Sequence, residues 1–201
     1  MNTLTWKIIG RTPSGLSSGN WLPEDWRSQL AIRLGYRPRR IGVLAELALY
    51  GALDCLASAN EKELPKGALL RVCSLRGPVS AISQVLEQIN EELPLPFSFL
   101  QSQTSQLLPA LAGALNWQGD AGVVMARNPM NLAMLACQQA GPNGMLLGWV
   151  EEANPCRSHW IRLAPSISPP AGFIAASSFE EMSSPSTHYW RLGTSGMEIA
   201  P

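Results

Sequence analysis

The stretch GVLAELALYGALDCLASAN, residues 42–60, decides the fold class of this chain. One face carries apolar or small residues at helical spacing: Leu44, Leu47, Ala48, Gly51 and Cys55. The other side is apolar as well, through Leu49, Leu53 and Leu56. A helix that is apolar on all sides is buried between layers of structure instead of lying on a surface. The stretch therefore predicts a buried helix in a layered domain.

The segments around this helix alternate between short β-type runs and longer helical runs. The spacing predicts strands over 6–10, 69–75, 122–126 and 145–150, with short strands at 161–163 and 173–175. It predicts helices over 79–92, 101–116 and 130–140, and the turn-rich residues 11–20 end the first strand. This alternation is typical of an α/β domain. We expect one domain over 1–176 and a Ser/Pro-rich tail over 177–201 with a loosely ordered end.

Composition excludes some classes of function. The 201 residues carry 15 basic and 15 acidic side chains, so no clustered positive charge predicts nucleic-acid binding. The first ten residues contain no apolar core of signal-peptide length, so we expect no signal peptide, and no apolar run reaches the length of about 18 residues that spans a bilayer. Charged residues make up only 15%. Together with seven tryptophans, this low charge indicates either a surface that a partner covers or a compact protein with a Ser/Gln/Asn-rich surface.

The polar candidates for chemistry are few. Four cysteines, Cys55, Cys73, Cys137 and Cys156, show no metal-ligand spacing and are predicted to be free thiols in a reducing cytoplasm. Cys156 and His159 alone are too few to hold a structural zinc ion, so we expect no metal and no cofactor. The adjacent Glu151 and Glu152 are interpreted as surface charge.

An ordered series of segments resembles the N-terminal half of the β-ketoacyl synthases, members of the thiolase-like superfamily. The series begins with RRIGVLAELALYGALDCLASA (39–59) and LLRVCSLRG (69–77), which resemble the first helix and second strand of that family. It continues with LPFSFLQSQTSQLLPALAGALNWQGDAGVVMAR (95–127) and NPMNLAMLACQQAGPNGMLLGWVEE (128–152), which resemble the segments before and after the nucleophile. The resemblance implies a thiolase-like half-fold, with a mixed sheet flanked by helices.

The nucleophile of that family is missing. In the active relatives a cysteine stands on the strand-to-helix turn, where this chain has Arg127 or Asn128. Neither side chain is a plausible nucleophile for acyl transfer. Cys137 lies two to three turns further along the helix, about 13 to 15 Å away at 1.5 Å per residue. The two catalytic histidines of the family belong to its C-terminal half, which the resemblance does not include, so we expect neither of them here.

The resemblance also implies two contact regions. In the family, the strand before the nucleophile pairs antiparallel across the dimer, which implies this role for Val123, Val124 and Met125. We expect this strand to be buried on both faces. The preceding helical segment lines the partner's acyl tunnel in the family, and the corresponding residues here are Phe99, Gln103, Gln106 and Leu107.

The resulting hypothesis is a catalytically silent subunit of the chain-length-factor type. It resembles the cysteine-less subunits of bacterial type II polyketide systems, notably those that make aryl polyenes. Its partners would be a full-length β-ketoacyl synthase or a second copy of itself, together with an acyl carrier protein. Two alternatives stay open: an acyltransferase with an unrecognised nucleophile, and a carrier-protein binding module whose basic patch would be Arg33, Arg37, Arg39 and Arg40.

Overall fold

A computed structural model of the chain describes residues 4–12, 22–93, 95–153 and 156–201. The turn-rich residues 13–20 predicted to end the first strand lie outside these ranges. The strands are β1 Thr5–Arg11, β2 Leu69–Ser74, β3 Ala121–Met125, β4 Met145–Glu151, β5 Arg157–Pro165, β6 Ile174–Ala175, β7 Tyr189–Leu192 and β8 Met197–Ala200. The α-helices are α1 Trp26–Leu34, α2 Val43–Ser58, α3 Val79–Asn90, α4 Pro96–Gln101, α5 Leu107–Ala114, α6 Pro129–Gln139 and α7 Phe179–Ser183. A 3₁₀ turn over Thr104–Gln106 precedes α5.

The eight strands form one mixed sheet in the order β3-β2-β4-β5-β1-β7-β8-β6. Strand β2 runs parallel to β3 and β4, and the other neighbouring strands pair antiparallel. Successive residues of a strand point to opposite faces, so the sheet separates two apolar cores. On β4, Leu146 belongs to the core beneath α1, α2 and α5, whereas Leu147 belongs to the core beneath α6 and α7. The predicted mixed sheet flanked by helices is confirmed.

Helix α2 is buried between layers, as its sequence predicts. It packs on strands β1, β4 and β5 and is covered by α1 and α5. Glycine allows this close approach, because a Cβ atom at Gly51 would lie 2.4 Å from Cδ1 of Trp160 on β5. A Cβ atom at Gly148 on β4 would lie 2.6 Å from the same indole ring. Trp160 is thus held between two glycines, and its Nε1 donates to Ser158 Oγ at 3.0 Å.

The segment predicted as one helix over 101–116 is divided in the structure. Helix α4 ends at Gln101, and α5 begins only at Leu107, after the 3₁₀ turn. Pro109 is therefore the third residue of α5, in the first turn, where a backbone N–H has no intrahelical acceptor to lose. The expectation of a continuous helix is wrong, and the proline accounts for where α5 begins.

The C-terminal segment is not loosely ordered. Strand β7 pairs with β1, with Trp190 opposite Trp6, and β8 pairs with β7. The Trp190 side chain is fully buried, and its Nε1 donates to the carbonyl oxygen of Met182 at 2.8 Å. The expectation of a loose end is wrong because these strands complete the sheet beside β1. The division after residue 176 stays a prediction.

Helix α3 carries apolar residues at helical spacing, yet the chain does not cover its apolar side. Only Ala81 of this helix is buried. Ile82, Leu86 and Ile89 are 39%, 57% and 55% exposed. Across the described part of the chain, no helix is long and apolar enough to cross a membrane.

Candidate functional site

The turn between β3 and α6 is the position of the nucleophile in the resembled family. The backbone N–H of Ala126 donates to the Ser74 carbonyl oxygen at 3.1 Å, which holds the end of β3 against β2. Asn128 is the N-cap of α6, and its Oδ1 accepts a hydrogen bond from the Met130 N–H at 2.9 Å. The Arg127 and Asn128 residues are both exposed. The helix start is therefore satisfied by an amide side chain, and neither residue offers a nucleophilic atom.

A thiol close to this turn belongs to Cys73, which the sequence predicts as a free thiol but does not place here. Cys73 lies on β2 opposite Val124, and its Sγ is 3.6 Å from the carbonyl oxygen of Ala126. Burial raises the pKa of the Cys73 thiol to about 11, and the negative charge of Glu151 contributes in the same direction. Only a thiolate attacks a thioester, so this thiol is inert at neutral pH. The parallel pairing of β2 with β3 brings it here, and no local sequence pattern marks that pairing.

The remaining cysteines do not replace the nucleophile. Burial raises the pKa of the Cys137 thiol on α6 to about 12, and burial also raises the pKa of Cys55 on α2. Cys156 is half-buried, and its Sγ lies 3.2 Å from the carbonyl oxygen of Glu152. All four cysteines are free. Within the described ranges, no three His, Cys, Asp or Glu side chains gather as a metal site would require.

Glu151 and Glu152 are not the surface charge that their adjacency predicts. The buried carboxylate of Glu151 accepts hydrogen bonds from the backbone N–H groups of Leu75 and Arg76, the latter at 3.3 Å. Glu152 accepts a hydrogen bond from the N–H of Ser80 in the first turn of α3. The two carboxylates therefore fix the loop between β2 and α3 beside the turn, and backbone donors offset the cost of burying the Glu151 charge.

The strand before the turn forms an open edge. Strand β3 is the first in the sheet order, and within the described ranges only β2 pairs with it. Val123 and Val124 are half-buried, and Met125 is 54% exposed. The expectation that this strand is buried on both faces is wrong for the chain alone, because α5 covers it only in part. A half-buried apolar edge with unpaired backbone groups is a template for pairing with another strand.

Of the four residues that the resemblance assigns to a partner's tunnel, three are exposed and one is buried. Phe99 on α4 is 58% exposed. Gln103 precedes the 3₁₀ turn and Gln106 ends it, and both are exposed. Leu107 is only 2% exposed and belongs to the core beneath α2. Its assignment to a partner surface is therefore wrong, because its side chain already fills this chain's own interior.

The basic patch is less available than its sequence suggests. The Arg33 guanidinium pairs with the Asp54 carboxylate at 2.6 Å and lies over the ring of Tyr50. Arg40 lies 5.8 Å from the ring centre of Phe97, at the border of an open cavity of about 310 Å³. Arg37 and Arg39 are exposed, so at most part of the patch is free to attract an acidic partner.

No family model and no curated protein sequence matches the chain. Solved structures do resemble it. The ishigamide ketosynthase/chain length factor matches with a TM-score of 0.56 and 14% identity, over 81% of this chain and 59% of that chain. The ketosynthase ApeO in complex with its chain length factor ApeC from Xenorhabdus doucetiae matches with a TM-score of 0.51 and 16% identity, over 87% and 82%.

A third structure is AntDE:AntF, described as a type II PKS acyl-carrier protein in complex with its ketosynthase bound to the hexaketide. It matches with a TM-score of 0.53 and 8% identity, over 81% of this chain and 64% of that chain. The chain thus spans about three fifths of the length of two of these neighbours. At such low identity the likeness shows the fold, and the predicted thiolase-like α/β fold is confirmed.

Proposed function

We propose that this chain is a catalytically silent subunit of the chain-length-factor type. In this proposal it pairs with an active β-ketoacyl synthase in fatty-acid or polyketide synthesis, of which aryl polyene synthesis is one form. The turn after β3 carries the proposal, because Asn128 caps α6 where a ketosynthase would present its cysteine. The nearby thiol of Cys73 is buried with a raised pKa. The fold supports the proposal, since two of its structural neighbours are ketosynthases with chain length factors.

The first experiment tests chemical silence. The purified chain is incubated with acyl-carrier-protein thioesters, and its intact mass is measured. No acyl adduct is expected, while an active ketosynthase in a parallel sample acquires one per catalytic cysteine. A stoichiometric adduct on this chain would instead establish the alternative, an acyltransferase with an unrecognised nucleophile.

The open edge of β3 supports pairing as the mode of association. A charge at Val124 would be buried without a partner if that edge joins another subunit, so Val124→Asp should abolish the complex or make the chain insoluble. Ile174→Asp is the matched control, because Ile174 lies on the opposite edge strand and is 64% exposed. Analytical ultracentrifugation with a ketosynthase of the same genome compares the two. A Val124→Asp variant that associates like wild type would exclude β3 from the interface.

The exposed segment before α5 supports a role in product length. If Gln103 and Phe99 close the far end of the partner's tunnel, added volume there should shorten the product, since packed interiors do not absorb a ring without strain. Gln103→Trp should therefore shorten the polyketide or polyene made by the reconstituted pair, and Phe99→Ala should lengthen it or broaden its distribution. Ile32→Trp, at an 80% exposed site on α1, serves as the control. Identical product lengths with an intact complex would leave the chain a scaffold without control of length.

The proposal places the protein in the cytoplasm, with an acyl carrier protein delivering substrate to the pair. Four free thiols favour a reducing compartment. A chain that bound the carrier protein tightly without any ketosynthase would support the remaining alternative, a carrier-protein binding module. Titration of a labelled carrier protein with this chain alone tests that alternative, and we expect weak binding or none.

A further inference from the structure

Helices α3 and α4 present one exposed apolar surface that the chain leaves uncovered. We call it the α3–α4 face, and its members are Ile82, Leu86, Ile89, Leu95, Phe99 and Leu100. These side chains are between 39% and 58% exposed. Isolated exposed apolar residues are common on proteins, but a contiguous group on two adjoining helices marks an interaction surface.

The α3–α4 face is a shaped surface. A groove of about 500 Å³ runs between the two helices, and its lining is mostly apolar, with Val85 among the contributors. Gln88 joins the helices from within, because its Nε2 donates to Ser98 Oγ at 3.0 Å and its Oε1 accepts from the Leu95 N–H at 3.3 Å. At the other end of α3, Glu152 accepts the Ser80 N–H. The groove is therefore held in place before any partner binds.

This face is continuous with the open edge of β3. Thr104 Oγ1, which follows α4, lies 3.8 Å from Met125 Sδ at the end of β3. Gly77, in the loop before α3, lies close to both Thr104 and Met125. A Cβ atom at Gly77 would lie 2.8 Å from Thr104 Oγ1 and 3.4 Å from Met125 Cε. A partner that pairs with β3 would therefore meet the α3–α4 face next.

An interface limited to the edge of β3 would be too small to be stable. Strand β3 has five residues and is about 17 Å long at 3.4 Å per residue. Stable interfaces bury about 800 Å² on each partner, which a single short strand edge does not provide. The α3–α4 face is the adjoining apolar surface that supplies the missing area.

The charges at the border select the kind of partner. Along α3 the border is acidic, because Glu87, Glu91 and Glu92 are exposed and residues 79–93 contain no basic side chain. On the α4 side, Arg40 lies beside Phe97 and lines an open cavity with Leu100. The acidic α3 side repels an acidic carrier protein. It also disfavours a second copy of the chain, since two-fold pairing would bring two such sets of carboxylates to one interface.

We infer that the α3–α4 face docks onto the ketosynthase subunit, as the apolar centre of the interface that β3 begins. The ketosynthase surface that fits it is apolar, with basic residues at its border. This inference rests on the proposed function, because it assigns a second contact region to the same partner.

The test measures binding of the full chain to a full-length ketosynthase of the same genome, by isothermal titration. Leu86→Glu should weaken binding by about 30-fold or more, as expected for an apolar residue near the centre of an interface. Ile167→Glu is the matched control, since Ile167 is 100% exposed and lies outside the face. Glu91→Lys should weaken binding by about 3- to 10-fold at low salt, and the effect should shrink at high salt. Circular dichroism and thermal unfolding verify that each variant is folded.

The outcomes separate the two proposals. If the wild-type chain binds no ketosynthase, the proposed function fails, and this inference fails with it. If wild type binds and Leu86→Glu binds equally well, the docking inference alone is overturned. It is also overturned if Leu86→Glu abolishes only self-association or only carrier-protein binding, because the face would then serve a second copy or the carrier.

Discussion

Helices α2 and α3 both carry apolar residues at helical spacing, but they expose those residues very differently. Ten residues of α2 are buried, whereas α3 buries one. Leu47 on α2 is fully buried, and Leu86 on α3 is 57% exposed. Periodicity predicts which side of a helix is apolar, but it does not say which molecule covers that side. In this protein α2 builds the chain's own core, and α3 is left for another surface.

The packing of α2 can be disrupted by one added side chain. Gly51→Leu should abolish the folded state, with a loss in the free energy of unfolding above about 4 kcal/mol, because the new atoms would overlap Trp160 and Ser158. Gly113→Ala on α5 is the control. Nothing lies within 4 Å of a Cβ atom there, so that variant should be neutral or more stable by about 0.5 to 1 kcal/mol. Urea unfolding measures both, and a well-folded Gly51→Leu variant would contradict the tight contact between α2 and β5.

Truncation of one leucine on each helix compares them directly. Leu47→Ala should lower the free energy of unfolding by about 2 to 5 kcal/mol, because it leaves a cavity in the core. Leu86→Ala should change it by less than about 0.5 kcal/mol in the isolated chain, because its side chain is mostly in water. Urea unfolding of the two variants gives the values. Equal losses would mean that α3 contributes to the chain's own core after all.

A pH titration tests whether the side of the sheet opposite α2, where His159 lies, excludes water as well as the core around α2. Burial, with smaller contributions from the charges of Arg157 and Arg11, lowers the pKa of His159 to about 4. The unfolded chain binds a proton near pH 6.5, so the folded state is most stable above that pH and loses stability as the pH falls toward 4. Between pH 6.5 and 5 the loss should be about 2 kcal/mol at most.

His159→Gln should flatten this pH dependence of the free energy of unfolding, measured by urea unfolding at each pH. The control is His188→Gln, at the exposed second histidine, in which the buried His159 is retained. If His159→Gln has the same slope as wild type, the imidazole is accessible to protons in the folded state.

The smallest effect concerns thiol reactivity. Iodoacetamide should add one group to the native chain, at the half-buried Cys156, and none at Cys55, Cys73 or Cys137. In denaturant all four cysteines should react, and the Cys156→Ser variant should remain unmodified when native. Intact mass spectrometry gives the number of groups added in each sample. Rapid modification of Cys73 would contradict its burial beside the turn.

Local patterns predict much of the sheet's first half. The strands at β1, β2, β3 and β4 and the helices α2, α3 and α6 lie within one or two residues of their predicted bounds. These segments are apolar runs or helical repeats bounded by turn residues, so their sequence and their structure agree. Pro129 is the first residue of α6, where its missing backbone N–H costs no intrahelical hydrogen bond.

The second half depends on contacts between distant residues, which a local pattern does not contain. Only 161–163 of the nine-residue β5 are predicted, because the strand begins with the polar residues Arg157, Ser158 and His159. The Arg162 guanidinium is buried, yet Glu61, 101 residues earlier, pairs with it at 2.7 Å. Likewise β7 is recognisable only through its pairing with β1 at the other end of the chain.

The candidate site follows the same division. The absence of a cysteine at Arg127 or Asn128 is readable from sequence, whereas the capping role of Asn128 and the position of Cys73 come from the fold. For Leu107 the sequence led to a wrong expectation. The resemblance implies that Leu107 contacts a neighbouring subunit, whereas its side chain is buried in this chain's own core.

The sheet ends in two unequal strands, and this limits how the protein can grow into an assembly. At one end, β3 offers five residues that can accept another strand. At the other end, β6 has only two residues, too few to template a neighbour. In the terms of polymer chemistry the subunit is monofunctional: it can join one partner subunit through β3, and the resulting pair has no further strand edge for growth. Pairing through β3 therefore yields a closed pair, and a fibre would require a second reactive edge that β6 does not provide.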